Sequence, residues 1–469
     1  MAGQAKQYGG NHQTPSLRPL AGQRQYGNEK GLRYPFADAL GKADPRTQGA
    51  AWYISMMPSI HTSVAVRRLI PSVPVLSLAA FRDGPHTGRA LPSLLDGAQT
   101  RLVTSGRIAI GLALRALGVG AGDLVLVPAY HSPSMIPPVH WCGAEVVFYR
   151  VLPDTCADLA DIQARLAQHT GVKAIMVTHF FGIPQDLAPL RALCDARGIG
   201  LLEDCAHCFF GERDGVAVGS SGDYAIGSSM KFFPIHEGGC LVSRRHALDT
   251  HLQSAGIGFE AKAALGALET SFSFGRLPAL RMILALPLRA RTLLWNAVKA
   301  ARAPAGATGA ATTPGLAPSS SDSSYSFDPH WVDKRSSWFS RLTLRLASHA
   351  RIVAQRRRHY LALHEALHDL PGCRPLFAAL PDGACPWVYP LLVDEADAVA
   401  ERLAQAGVPM VRFGATLWPG VDATVCATSV ELGQRMIALP CHQALHSTEL
   451  AWMIATVRQA LQASVKVAA

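Results

Sequence analysis

Between residues 105 and 207, short unbroken apolar runs alternate with segments of helical period, and this alternation limits the fold more than any other feature of the chain. SGRIAIGLALRALG (105–118) spaces its apolar residues as a helix does and closes on Gly118, a C-cap. DLVLVPAY (123–130), AEVVFYRV (144–151), KAIMVTHFFG (173–182) and IGLLEDCAH (199–207) are continuous apolar strands, while ADIQARLAQ (160–168) and DLAPLRALCDARG (186–198) are helices. A strand that is apolar on both faces must be covered on both. The pattern therefore predicts an α/β fold with a mostly parallel sheet flanked by helices. Ligands of such sheets gather at the carboxyl ends of the strands, where Tyr130, His131, His179, Asp204 and His207 fall.

The remainder divides by composition. Residues 1–70 are rich in Gly, Gln, Pro and Arg without sustained period and are expected to form a disordered or loosely packed basic N-terminal arm, with order beginning near VPVLSLAAF (73–81). Residues 71–255 form the large domain. Residues 256–330 are an insertion. Within it LPALRMILALPLRARTLLWNAVKA (277–300) joins Leu, Ile and Trp to Arg and Lys without an acid, and predicts amphipathic helices packed on the protein, a membrane-surface anchor being the alternative. The stretch 301–327 is Ala, Pro, Gly, Thr and Ser, a linker composition. Residues 331–469 predict a smaller α+β C-terminal domain: one long basic helix (341–368), a strand near WVYPLLV (387–393), a helix AVAERLAQAG (398–407) and a closing helix (447–463).

With 469 residues, 49% of them hydrophobic, the chain can bury a large core. Its balance of +10 suits anionic small molecules, nucleic acid or an anionic membrane and selects none of them. The arm has little interleaving of basic and aromatic residues, which argues against nucleic acid. Ten cysteines are scattered through apolar segments, and Cys205 and Cys208 lack the second pair a zinc site needs, so a reduced, cytoplasmic protein without a metal centre is expected. No apolar leader core follows Met1, and no run of about 18 uncharged apolar residues exists to span a bilayer.

Three features carry chemistry. Lys231 sits in SSMKFFPIHEGG among small, aromatic and turn-forming residues. A lysine so placed is either a snorkelling side chain or an amine whose pKa desolvation lowers until it becomes a nucleophile. Asp204 ends an apolar strand, where a carboxylate either caps the next helix or holds a ligand. Ser105-Gly106-Arg107 opens a helix, and backbone N–H groups at a helix start attract phosphate.

These features, in this order and spacing, resemble the DegT/DnrJ/EryC1/StrS family of pyridoxal 5'-phosphate (PLP) enzymes, mostly sugar aminotransferases of the aspartate aminotransferase fold, fold type I. The resemblance runs through TSGRIAIGLALRALGVGAGDLVLVPAY, THFFGIPQDLAPLRALCDARGIGLLEDCAH, GDYAIGSSMKFFPIHEGGCLVS and QRMIALPCHQALHSTEL. It implies that Lys231 bonds covalently to PLP and that Asp204 pairs with the ring nitrogen. It implies that Ser105, Gly106, Arg107 and Ser228 or Ser229 hold the phosphate. It places His207 beside the ring and gives Tyr130 or His131 the stacking role. Several positions depart from the family: Arg107 replaces a usual Thr, His207 a usual Gln, and SWFSRL (337–342) keeps Arg341 of an Asn-aromatic-Arg stretch but not the Asn. The implied activity is transfer of an amino group, from glutamate, to a nucleotide-linked keto-sugar by a homodimer. Alternatives are a PLP-dependent sugar dehydratase, against which Lys231 argues, and a non-catalytic protein on the same fold.

Overall fold

A computed structural model describes residues 70–83, 90–285 and 325–468, with side chains described to 463. The basic arm as far as residue 69, most of the basic segment 277–300 and most of the linker lie outside the described residues.

The four expected strands and three more form one seven-stranded sheet. In chain order these are β1 (Gln99–Val103), β2 (Leu124–Pro128), β3 (Glu145–Tyr149), β4 (Val172–Thr178), β5 (Gly200–Asp204), β8 (Tyr224–Gly227) and β9 (Gly239–Ser243), and their spatial order is β1-β9-β8-β5-β4-β2-β3. The pairs β3–β2, β2–β4, β4–β5 and β5–β8 are parallel, while β9 runs antiparallel to both β8 and β1. A two-stranded ribbon, β6 (Glu212–Arg213) and β7 (Val216–Ala217), follows β5. Helices α1 (Gly106–Ala116), α2 (Pro137–Trp141), α3 (Leu159–Gln168) and α4 (Ala188–Arg197) make the connections. Leu126, Ile175, Val177 and Leu201 pack against one set of helices, and Val125, Val127, Ala174, Met176 and Leu202 against the other. This two-sided burial is why the strands read as continuous apolar runs.

Past β9 a 17-residue helix, α5 (Ile257–Ser273), buries Phe259, Ala263, Ala267 and Phe272. A helical segment then runs from 278 to the edge of the described residues, with Met282 and Ile283 exposed. The predicted long basic helix is two helices, α6 (Trp338–Leu346) and α7 (His349–Leu367). Ala347 is extended, and the Ser348 hydroxyl accepts from the Arg351 N–H, so a serine N-cap restarts the helix where the apolar period alone ran through. The first of these helices and the start of the second pack on the large sheet, Leu344, Ala347, Ile352 and Val353 meeting Phe209, Phe210, Phe232 and Phe233. A separate core includes Ile70, Tyr360, Leu363, Tyr389, Leu391 and Met453. It is built on an antiparallel sheet of β10 (Cys373–Pro375), β11 (Val388–Val393) and β12 (Met436–Pro440), with α8 (Ala396–Ala406), α9 (Ala423–Arg435) and α10 (Ser447–Ala468). No helix of the described residues is long and apolar enough to cross a membrane.

Candidate active site

The chain's chemistry collects where the parallel strands end. Asp204 is the last residue of β5 and is buried. Its Oδ1 accepts from the Ala206 N–H at 2.9 Å and its Oδ2 from the Thr178 hydroxyl at 3.3 Å. Burial raises its carboxyl above the ordinary value, against the pull of the Ala206 amide and of the Lys231 charge.

Beyond β8 the backbone makes a 3-10 turn, Ser229–Lys231, anchored by the buried rings of Phe232 and Phe233. This turn aims Lys231 back over the strand ends. Its Nζ stands 4.6 Å from the centre of the Trp387 ring. Burial lowers the amine to about 8, with the nearby Asp204 charge opposing the shift. The side chain is half-buried, and its Nζ faces the Trp387 ring and the cavity.

The glycines of Glu-Gly-Gly have a steric reason. A Cβ on Gly239 would lie 2.4 Å from the carbonyl carbon of Ser105 and 2.6 Å from the Gly106 nitrogen. The Gly238 N–H donates to the Thr104 carbonyl at 2.8 Å. Only a residue without a side chain lets the lysine segment lie against the start of α1. There Ser105 is the N-cap, accepting from the Ile108 N–H at 3.4 Å, and Arg107 donates to the Ser326 carbonyl at 2.8 Å.

Ser105, Gly106, Arg107, Ser228, Asp204, His207 and Lys231 thus line one cavity of about 250 Å³. Three separate segments supply them. His207 is buried between aromatic faces, 4.0 Å from Trp387 and 6.0 Å from Phe181 by ring centres, and its Nδ1 has no partner. Burial first, and then the Lys231 charge, hold it well below the ordinary imidazole value, so it is neutral. A carboxylate, a desolvated amine, an uncommitted ring nitrogen and a helix N-terminus are the donor set that PLP needs for its ring nitrogen, aldehyde, ring oxygen and phosphate.

The remaining predicted residues stand elsewhere. Tyr130 contributes to neither this cavity nor its neighbour: its hydroxyl donates to the Phe413 carbonyl at 3.0 Å and its ring packs on Phe180 and Phe413. His131 lines only the adjoining cavity, of about 190 Å³. Both its ring nitrogens are used, Nδ1 toward the Ala129 carbonyl at 2.9 Å and Nε2 accepting from the Trp418 N–H at 3.1 Å, and the ring stacks on Phe148. Ser229 is buried beneath the lysine turn, its hydroxyl without a partner, and lines neither cavity. His179 is held away by Glu203 at 3.1 Å and by the Gln185 N–H at 3.1 Å. His179, Glu203 and Cys205 come close enough together to hold one ion, yet Glu203 already accepts from the N–H groups of Gly219, Ser221 and Gly222. Thr178, Tyr325, Trp387 and Phe413, none of them singled out as site residues in the sequence, also line the two cavities.

Glu237 closes the lysine segment. Its Oε1 accepts from the Ser337 N–H at 3.0 Å and hydroxyl at 2.8 Å, while Oε2 is buried without a partner. SWFSRL therefore begins by capping this carboxyl. Burial pushes Glu237 up to about 7. A carboxyl raised on folding binds more protons folded than unfolded between about 4.5 and 7, so its contribution to stability is lost as pH rises through that window. Glu237→Gln should remove this slope, worth up to about 3 kcal/mol, in melting curves recorded from pH 4.5 to 8.

Residues 91–264 match the DegT/DnrJ/EryC1/StrS aminotransferase family. GDP-perosamine synthase of Vibrio cholerae is 34% identical over 144 residues, 30% of this chain and 39% of that protein. L-glutamine:2-deoxy-scyllo-inosose aminotransferase of Streptomyces paromomycinus is 38% identical over 144 residues, 30% of this chain and 33% of that protein. A UDP-N-acetyl-3-dehydro-alpha-D-glucosamine 3-aminotransferase of Acidithiobacillus ferrooxidans is 34% identical over 190 residues, 38% of this chain and 50% of that protein. The matched part thus spans half or less of each relative's length. Among solved structures, the aminotransferase TlmJ of Streptoalloteichus hindustanus superposes with a TM-score of 0.52 at 22% identity, over 78% of this chain and 87% of that one. A DegT DnrJ EryC1 StrS aminotransferase of Brucella abortus gives 0.52 at 19% identity over the same shares. The fold is that of the PLP-dependent aminotransferases, as expected.

Proposed function

We propose, from the premise that residues 91–264 match the DegT/DnrJ/EryC1/StrS aminotransferase family, that this chain is a PLP-dependent aminotransferase. It moves an amino group from an amino acid, glutamate in the first instance, to a nucleotide-linked keto-sugar. The observation that carries the reading is the convergence of Lys231, Asp204 and the N-terminus of α1 on one cavity. The names of the three relatives, each an amine-transferring or perosamine-forming enzyme of sugar-like substrates, support the acceptor class. The net charge of +10 suits a diphosphate-bearing acceptor. The enzyme acts in the cytoplasm as a homodimer.

Bound in this cavity, PLP supplies an electrophilic carbonyl carbon and an electron-withdrawing ring. The protein's residues do the rest. The N–H groups opening α1, with Ser105, Arg107 and Ser228, hold the phosphate. Asp204, aligned by Ala206 and Thr178, keeps a proton on the ring nitrogen and so maintains the ring's pull on electrons. Neutral His207 offers its free Nδ1 toward the ring oxygen. Lys231, at about 8, has a share of free amine near neutral pH that an ordinary lysine lacks. This free amine would be the group that meets the cofactor carbonyl, and as a base in the cavity it would take and return the proton at the donor Cα. Trp387 and Phe413 wall the amine from water.

The test is covalent. Protein incubated with PLP and reduced with borohydride should carry a phosphopyridoxyl group on the peptide containing Lys231, and nitrogen-15 from labelled glutamate should appear in the amino-sugar nucleotide formed from a keto-sugar nucleotide. A protein left unmodified by PLP and borohydride ends this reading.

A further inference from the structure

Arg356, on α7, is fully buried, and among the described residues no carboxylate pairs with it. Its acceptors are all neutral oxygens. Nε donates to the Gln443 side chain at 3.0 Å, and Nη1 to the carbonyls of Pro386 and Trp387 at 3.1 and 3.0 Å. Nη2 donates to the Lys231 carbonyl at 2.7 Å. The guanidinium lies 4.4 Å from the centre of the Phe232 ring. Gln443, in the loop before α10, completes the arrangement by donating from Nε2 to the Phe232 carbonyl at 2.6 Å. Burying an unpaired cation costs several kcal/mol, and packing alone would be served as well by an apolar side chain. A planar fork of fixed donors is what reaches four oxygens on three segments at once.

We infer that Arg356 and Gln443 are positioning residues for Lys231: together they grip the successive carbonyls of Lys231 and Phe232 and fix the Trp387 backbone beside them, so that the C-terminal region sets where the reactive amine stands. The large sheet supplies Asp204 and the phosphate turn, while the amine's seat is imposed from residues more than a hundred positions downstream. The same bracket places the Trp387 ring against Nζ, which keeps water from the amine and sustains its low pKa. This role rests on the reading of Lys231 as the reacting amine, but its first test needs no cofactor.

In the cofactor-free protein, the pH dependence of Lys231 acetylation by acetic anhydride, followed by mass spectrometry of its peptide, reports the amine directly. The wild-type midpoint should lie near 8. Arg356→Lys keeps the charge and loses the fork, and Gln443→Leu removes the grip on Phe232. Each variant should still unfold cooperatively and should move the midpoint up by about one unit or more, toward an ordinary lysine, as the loosened segment lets water reach the amine. PLP affinity, read by absorbance titration, should fall about tenfold. Midpoints unchanged in the folded variants overturn the inference. So does loss of cooperative unfolding in both variants, since the two residues would then be serving stability alone. Wild-type protein that gains no phosphopyridoxyl group on Lys231 while the midpoints shift would remove the aminotransferase reading and leave the positioning role standing.

Discussion

Lys231→Ala protein should develop none of the visible absorption that PLP gives on the wild type, and its amine transfer should fall by roughly 10²–10⁴-fold, the range expected when a positioned proton-transfer group is lost. On the proposed reading the amine both makes the bond to the cofactor and carries the proton, so no neighbouring group should restore the rate. His207 should not, because burial disfavours its protonated form and so weakens it as a base, and its ring is clamped between Trp387 and Phe181. Stability should respond in the opposite sense. The folded amine titrates near 8 and an unfolded lysine near 10.5, so the unfolded chain binds more protons between those values and wild-type stability rises with pH across that window. The alanine protein should lack this rise. Melting curves from pH 7 to 10.5 separate the two, and parallel curves would show that the amine is not desolvated.

Asp204→Asn should reduce transfer by roughly 10²–10³-fold, in line with removal of one charge-stabilising group from a buried site. The substitution keeps the shape: its one oxygen can accept from the Ala206 N–H and its amide can donate to the Thr178 hydroxyl, so the fold should persist. Its effect on Lys231 has a defined direction. The Asp204 charge raises the amine against the burial that lowers it, and its removal should move the acetylation midpoint below 8. A variant with more free amine but slower transfer would assign the loss to the ring nitrogen's partner rather than to the nucleophile. If transfer were unchanged, Asp204 would be a structural carboxylate.

Much of the large domain was legible because its physics is local. Strands β2 to β5 are buried on both faces and the helices between them on one, so each carried its own signature. Strand β1 was not legible, since its apolar residues are too few and its place is set by pairing with β9, some 140 residues later. Nor was the break between α6 and α7, which rests on one serine hydroxyl. The site divides in the same way. Asp204 and Ser105 announce themselves by ending a strand and opening a helix. Tyr130 and His131 met that criterion equally well, yet Phe413 and Trp418, nearly 300 residues away, take their polar atoms.

By itself the sequence marked the candidate groups and their order: the lysine in its aromatic turn, the acid at a strand end and the serine that opens α1. These signals lie in backbone geometry within a few residues of each group, whereas the need for Gly239 comes from its close approach to Ser105 and Gly106. The tertiary structure alone decided which groups face the cavity, how far the amine's pKa falls, and that Arg356, Gln443 and Trp387 govern the seat of Lys231. Desolvation and hydrogen bonding depend on what is brought close in space, and here the deciding partners come from the C-terminal third of the chain, at separations over which no periodicity extends.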